Sequence, residues 1–289
     1  MKIGYQGTKG AYSDHAVKIF ADEFDYKYES IGYENFNDVV EALRMDEINY
    51  AILPIENNTS GEVKQSLEAI LKSRVWINAI WSLALPVQHC LIGKEGLNVD
   101  EIVEVYSHPK ALEQCSVYTS KMQEKGVKVT ASYDTAGAVE MISKSEKIEA
   151  AIASKYAAEL YGLSVLDSNI SNGEKNATRF MAFSKYPNAE KMDESLILFQ
   201  TKHKPNALYS ALGCFAKQDI NLLDIQKTWV QANGEGIAPV FFLEVNAGRY
   251  DSKLLKSLDD LQHIATNVTL LGSYNSIKRD EYVSGMLHI

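Results

Sequence analysis

The sequence predicts an α/β protein in which two lobes, each with an open and mostly parallel sheet, face one another across a cleft, followed by a smaller domain in the ferredoxin-like order βαββαβ. Three features predict this. Short apolar runs alternate with segments of helical period through most of the chain. Polar clusters recur where the apolar runs end. The rhythm then changes after a polar stretch at 185–193 that contains Pro187.

In the first lobe, residues 2–6 read as a buried strand. A turn with Gly7 and Gly10 follows, then a helix over about 11–21 whose apolar face holds Tyr12, Ala16, Ile19 and Phe20. Residues 26–31 read as a strand, 35–44 as a helix with Phe36, Val39, Val40 and Leu43 on one face, and 50–55 as a third strand. Val63, Leu67, Ile70 and Leu71 fall at helical offsets and mark a further helix. This βαβαβα order favours parallel strands with helices packed on the sheet faces. Residues 75–92 are apolar but irregular, and are expected to be strands crossing into the second lobe. There the pattern repeats: strands at 102–106, 127–131 and 149–153, helices at 109–123, 135–144 and 154–161, and a return strand at 163–169. A polar loop at 168–176 leads to a strand at 178–184. After the linker come strand 195–201, helix 206–218, strands 220–231 and 239–246, helix 252–262 and strand 267–273. The expected division is 1–188 for the two-lobed domain, with lobe one about 1–78 plus 168–185 and lobe two about 79–167. The small domain takes 193–276, and 277–289 form a tail.

Composition narrows the function classes. The chain has 289 residues, 46% hydrophobic and 23% charged, enough to bury a core without metal or disulfide staples. A formal net charge of −9 argues against broad nucleic-acid binding but leaves an anionic small molecule possible in a local basic pocket. Cys90, Cys115 and Cys214 are widely spaced and form no C-x-x-C pair, so they read as buried reduced thiols of a cytoplasmic protein. The N-terminus reads as a strand, not a signal peptide, and no run of about 18 apolar residues is present to span a membrane. G-x-G-x-x-G, the P-loop and G-x-S-x-G are absent, and the six histidines are scattered, which argues against nicotinamide enzymes, NTPases, serine hydrolases of that type and zinc proteases.

Three polar clusters stand at strand ends, where open α/β sheets gather ligands. The first, Asn57-Asn58-Thr59-Ser60-Gly61, closes one strand and precedes a helix, whose free N–H groups suit carboxylates. The same residues serve equally well as an N-cap and turn. The second, Asn176-Ala177-Thr178-Arg179-Phe180, delivers a hydroxyl and a guanidinium to the start of a strand; alone it reads better as a β-prone stretch around a surface arginine. The third, Ser107-His108-Pro109 with Gln114 beyond, has proline in a first helical turn and is explained by capping if taken alone. Convergence of all three on one cleft is the stronger argument.

These segments, with Gly7-x-x-Gly10-x-Tyr12-Ser13, Pro54-Ile55-Glu56-Asn57 and Gln114-Cys115, resemble the prephenate dehydratase family over about 270 residues. Residues 194–275 resemble an ACT domain, ending in Leu271-Gly272-Ser273-Tyr274. The resemblance implies a two-lobed, periplasmic-binding-protein-like catalytic domain with a C-terminal ACT domain. It implies loss of water and carbon dioxide from prephenate to give phenylpyruvate, without metal or organic cofactor. Thr178 is implied as general acid to the leaving hydroxyl, with Asn57, Thr59, Ser60, Gly61, Ser107, Gln114, Arg179 and Phe180 around the substrate. It further implies phenylalanine as an amino-acid effector near Asn206, Ala207, Leu208, Asn221 and Leu222, and a homodimer or homotetramer; the acidic charge and the missing apolar span, by themselves, lead to the expectation of no nucleic-acid and no membrane partner.

A threonine hydroxyl is a feeble acid, so neighbouring donors are expected to polarise it; Arg179 is a candidate, and also a candidate for gripping a substrate carboxylate. In a regular strand, however, Thr178 and Arg179 point to opposite faces. Both reach the cleft only if the backbone is irregular there. Glu56 would repel a dianion and is expected to be structural. Three departures from the family pattern matter: Thr8 and Ala11 in the first turn, Asn206 at the first helix of the small domain, and Gln226-Lys227-Thr228-Trp229 where the family has Glu-Ser-Arg-Pro. The first removes one possible cleft hydroxyl; the other two, in the small domain, predict weak or altered inhibition by phenylalanine. Competing readings are an arogenate dehydratase and a non-catalytic two-lobed binding protein.

Overall fold

The computed structural model describes residues 1–74, 76–173, 176–232 and 236–277. The expected tail therefore lies outside the described residues, Ile277 excepted.

Lobe one begins with β1 (Lys2–Gln6), α1 (Tyr12–Glu23), β2 (Glu29–Tyr33), α2 (Phe36–Arg44), β3 (Tyr50–Asn57), β4 (Gly61–Glu62), α3 (Lys64–Ser73) and β5 (Asn78–Pro86). β1 pairs in parallel with both β2 and β3. Its Ile3 and Tyr5 pack with Ala16, Val17 and Phe20 of α1 in one core. A second core holds Val39 and Leu43 of α2 with Leu67 and Ile70 of α3. Asn35 starts α2 by accepting the Asp38 N–H at 3.0 Å, satisfying one of the free donors of the first turn.

Lobe two comprises β6 (Cys90–Gly93), β7 (Glu104–Ser107), α4 (Pro109–Gln114), α5 (Ser116–Glu124), β8 (Lys128–Ala131), α6 (Thr135–Lys144), β9 (Glu149–Ala153), α7 (Lys155–Leu160) and β10 (Ser164–Asp167). Its sheet runs β10-β6-β9-β7-β8. The helix expected over 109–123 is two, meeting at Cys115. All three cysteines are buried and unpaired, and burial pushes the Cys115 thiol up to about 11.

β11 (Ala177–Ser184) re-enters lobe one between β3 and β5, antiparallel to both. The lobe boundary expected at residue 79 is thereby corrected: residues 79–86 belong to β5 of the first sheet, and the chain crosses at 87–89. An apolar run that is buried as a central strand looks alike in either sheet, so periodicity could not assign it.

The C-terminal module contains β12 (Glu194–Gln200), α8 (Ala207–Ala216), β13 (Leu222–Ala232), β14 (Gly236–Val245), α9 (Ser252–Gln262) and β15 (Thr266–Tyr274), with a short β16 (Ser276–Ile277) after it. The strand order β13-β14-β12-β15 is ferredoxin-like. This sheet does not stand apart. β15 runs beside β5, with Gly272 opposite Ala79, so that the described strands of the module and lobe one form a single 11-stranded sheet. One hydrophobic core crosses the junction: Leu196, Leu198, Phe242 and Leu271 of the module join Leu53, Met181 and Phe183 of the lobe. In the linker, Asn188 Nδ2 donates to the carbonyls of Ile80 and Ser273, each at 2.8 Å, and clips β5 to β15.

Gly272 makes the junction possible. Its φ is +151°, and a Cβ there would lie 2.1 Å from the Ala79 carbonyl oxygen. Gly272→Ala is expected to cost about 1–3 kcal/mol in a urea titration, since backbone must move to admit the methyl. A cost below about 0.5 kcal/mol would show that the junction is looser than the register implies.

Candidate active site

The end of β3 and the start of β11 lie side by side, with Thr178 opposite Asn57 and Arg179 opposite Glu56. β3 then folds back into β4, pairing Asn57 with Gly61. Gly61, at φ +76°, supplies the left-handed backbone that this turn needs.

The Asn57 side-chain amide organises the corner. Its Oδ1 accepts from the backbone N–H groups of Thr59 and Ser60 at 3.1 and 3.0 Å, and from their hydroxyls at 2.7 and 3.0 Å. Its two Nδ2 hydrogens are shared among three acceptors in reach, Asn176 Oδ1 at 2.7 Å, the Ala177 carbonyl at 3.1 Å and Thr178 Oγ1 at 3.0 Å. A hydroxyl has one hydrogen and two lone pairs. With a lone pair of Thr178 engaged by Asn57, its O–H is left to donate. The polarising group expected of Arg179 is therefore Asn57.

A cavity of about 280 Å³ opens between the lobes, lined by Thr59, Ser60 and Asn176 on one side, Lys110, Glu113 and Gln114 of α4 on the other, and Ser171 and Asn172. Thr178 stands directly behind the first wall, partly exposed and tied through Asn57 to Thr59, Ser60 and Asn176. Asn172 fixes the opposite wall: it donates to the Glu113 carbonyl at 3.1 Å and to Ser116 Oγ at 2.9 Å. Gln114 Oε1 lies 2.9 Å from His89 Nε2, at the crossing between the lobes. His89 Nδ1 is buried without a partner among the described residues, and burial pulls the ring's pKa below its usual range. An orphaned N–H is rarer in folded proteins than an orphaned acceptor. The neutral tautomer protonated at Nε2 therefore fits; it donates to Gln114 Oε1 and leaves the Gln114 NH₂ for the cleft.

Three expected substrate contacts are corrected. Arg179 is 2% exposed, and its guanidinium lies among Glu244 (2.6 Å), Asp224 (3.0 Å) and Glu56 (3.6 Å), on the face opposite Thr178. The register shift between Arg179 and Phe180 comes one residue too late to turn both 178 and 179 toward the cleft. Phe180 is also 2% exposed and packs with Ile3, Tyr5, Phe20 and Trp81. Ser107 is fully buried, and its hydroxyl donates to the Ile152 carbonyl at 2.6 Å, stitching β7 to β9. Glu56, expected to be structural, faces Arg179.

The sequence reading missed Lys110, Glu113, Ser171 and Asn172, and quoted Asn176 without assigning it. A signal existed for α4: residues 110, 113 and 114 stand at offsets 0, 3 and 4, on one helical face. The first turn serves to join the lobes. Thr8 Oγ1 donates to Asp134 at 3.1 Å, Tyr156 OH to Asp14 at 3.0 Å and Tyr161 OH to the Lys9 carbonyl at 3.0 Å. In the C-terminal module, Asn206, Ala207 and Leu208 stand at the start of α8, and Asn221 and Leu222 at the entry to β13. The 10 residues of α8, about 15 Å of helix, lie between the two groups in the chain, and Leu208 and Leu222 pack against one core of the module.

Comparison with known proteins gives concordant results. A family model for prephenate dehydratase matches residues 3–188. An Arabidopsis thaliana protein named arogenate dehydratase/prephenate dehydratase 1, chloroplastic, is 32% identical over 291 residues, covering 95% of this chain and 72% of the relative. The solved structure of prephenate dehydratase from Arthrobacter aurescens in complex with L-Phe superposes with a TM-score of 0.80, at 24% identity over 95% of this chain and 90% of that one. GqqA, described as a quorum-quenching acylase, superposes with a TM-score of 0.81 at 26% identity, over 96% of this chain and 98% of that one.

Proposed function

Since the chain belongs to the prephenate dehydratase family, we propose that it converts prephenate to phenylpyruvate, water and carbon dioxide in phenylalanine biosynthesis, with Thr178 as general acid. The observation that carries the reading is the contact of Asn57 Nδ2 with Thr178 Oγ1, which engages a lone pair of the hydroxyl and leaves its proton to be given up. The C–O bond to the ring hydroxyl breaks as that oxygen takes the proton and leaves as water. The bond to the ring carboxylate breaks as carbon dioxide departs, and its electron pair completes the aromatic ring. A substrate carboxylate must leave, so tight binding is better spent on the side-chain carboxylate.

The two ends of the ring sort the walls. The hydroxyl and the carbon bearing both carboxyl-containing groups stand across the ring from one another. With the hydroxyl beside Thr178, the carboxylates extend toward α4, where Lys110 supplies a cation and Gln114 an amide donor.

Glu113 on the same wall favours a second reading, arogenate dehydration, because arogenate carries an ammonium where prephenate has a keto group. Assaying kcat/KM on both substrates tests the pair of readings. Glu113→Gln is expected to lower the arogenate-to-prephenate ratio by about three- to tenfold, the worth of one partly solvated charge contact. An unchanged ratio would remove Glu113 from recognition. Failure to form phenylpyruvate from prephenate or phenylalanine from arogenate would sink both readings. Phenylalanine remains the proposed effector, acting weakly. The two residue groups would form its site, in a homodimer or homotetramer.

A further inference from the structure

The proposed chemistry uses Arg179 in no step, yet the side chain is held from several directions. It follows Thr178 directly on β11. Of its three carboxylate partners, Glu244 belongs to β14 and Asp224 to β13, both in the C-terminal module; Glu56 precedes Asn57 on β3. The cluster extends further into the module. Tyr274 of β15 donates to Glu244 Oε2 at 2.9 Å, and Gln226 of β13 donates to Asp224 Oδ2 at 3.2 Å. Three of the module's four strands thus converge on the residue beside Thr178, while Glu56 ties the same guanidinium to the strand that carries Asn57.

Burial opposes the Arg179 charge, but the Glu244 carboxylate, with Tyr274, Asp224 and Glu56, outweighs it and lifts the guanidinium above the usual arginine range. Displacing a charge held this way would leave buried carboxylates uncompensated, so the position of residue 179 is stiffly determined. Thr178 is one peptide plane away and inherits that stiffness.

We propose that Arg179 is a positioning residue through which the C-terminal module sets the Thr178 hydroxyl against Asn57, so that the module's sheet completes the catalytic corner. This rests on Thr178 being the general acid. A ligand that shifts β13 or β14 would change turnover through the same contact.

The test uses the full chain with Asp224→Asn, Glu244→Gln and the double replacement. The Asp224 side chain is 27% exposed, so that variant is the mildest. Two quantities are read: kcat and KM on the better of the two substrates, and hydrogen–deuterium exchange of the 177–184 segment. The expected result is a kcat about 10- to 100-fold lower, as for a slightly misplaced catalytic group, with KM within about twofold. Exchange at 177–180 should quicken while β1 and β2 stay protected, and Asp224→Glu should restore kcat. A double variant with kcat and exchange both unchanged overturns the proposal. So does exchange that quickens throughout lobe one with kcat and KM changing together, since that is plain loss of fold. If the wild-type chain turns over neither substrate, the catalytic reading fails separately, and exchange of β11 alone then decides whether the module holds the strand.

Discussion

Thr178→Ala is expected to lower kcat by about 10²–10⁴-fold, the usual worth of a positioned general acid, with the chain still folded and KM within about threefold. The leaving group makes this step sensitive: hydroxide is expelled slowly and water readily, so the missing proton appears in kcat. Folding should survive because Thr178 is partly exposed and its deletion strands no buried group. Asn57 Nδ2 still donates to Asn176 and to the Ala177 carbonyl. Thr178→Ser keeps the hydroxyl and should retain turnover within about tenfold of wild type. Asn57→Asp should resemble Thr178→Ala, because a carboxylate cannot donate to Thr178 Oγ1 and would instead draw the threonine proton to itself. Ultraviolet detection of phenylpyruvate formed from prephenate checks all three. A folded Thr178→Ala enzyme with near-wild-type kcat would leave the hydroxyl without a catalytic role.

Arg179→Met is expected to cost about 3–5 kcal/mol of stability, the range measured when one partner of a buried ion pair is removed. Methionine matches the length of the arginine stem but leaves three carboxylates facing one another, with Glu244 only 3% exposed. Glu244→Gln should cost less, since the retained guanidinium still has Asp224 and Glu56 beside it. The urea midpoints of the two variants decide the order. A loss below about 1 kcal/mol for Arg179→Met would mean that solvent reaches the cluster and screens it. Because the cluster spans the module and lobe one, the two are expected to unfold in one transition, and two separate transitions in the wild type would contradict the shared core.

The elements were largely legible, and for a local reason. Helix α2 is written in Phe36, Val39, Val40 and Leu43 at helical spacing behind the cap Asn35, and the C-terminal βαββαβ order follows from alternation and turn residues within short windows. The placement of β5 was not legible, because Asn78–Pro86 carries no mark of which sheet it joins. The continuous sheet was not legible either. Only the meeting of Gly272 with Ala79 creates it, and nothing in either segment names the other.

The catalytic corner divides in the same way. Sequence alone determined the chemistry available: a hydroxyl, an arginine and clustered amides at strand ends, with the alternation of β11 already requiring Thr178 and Arg179 to face opposite ways. Tertiary structure alone decided which face looked onto the cleft and which onto the C-terminal module. It thereby made Arg179 a buried anchor, gave its expected polarising role to Asn57, and brought Lys110 and Glu113 across from the second lobe. The physical reason is range. Backbone alternation and helical period act over a few residues and are encoded where they act, whereas a side chain's dielectric surroundings and partners are set by strands 45 to 121 residues away that meet only in the folded chain.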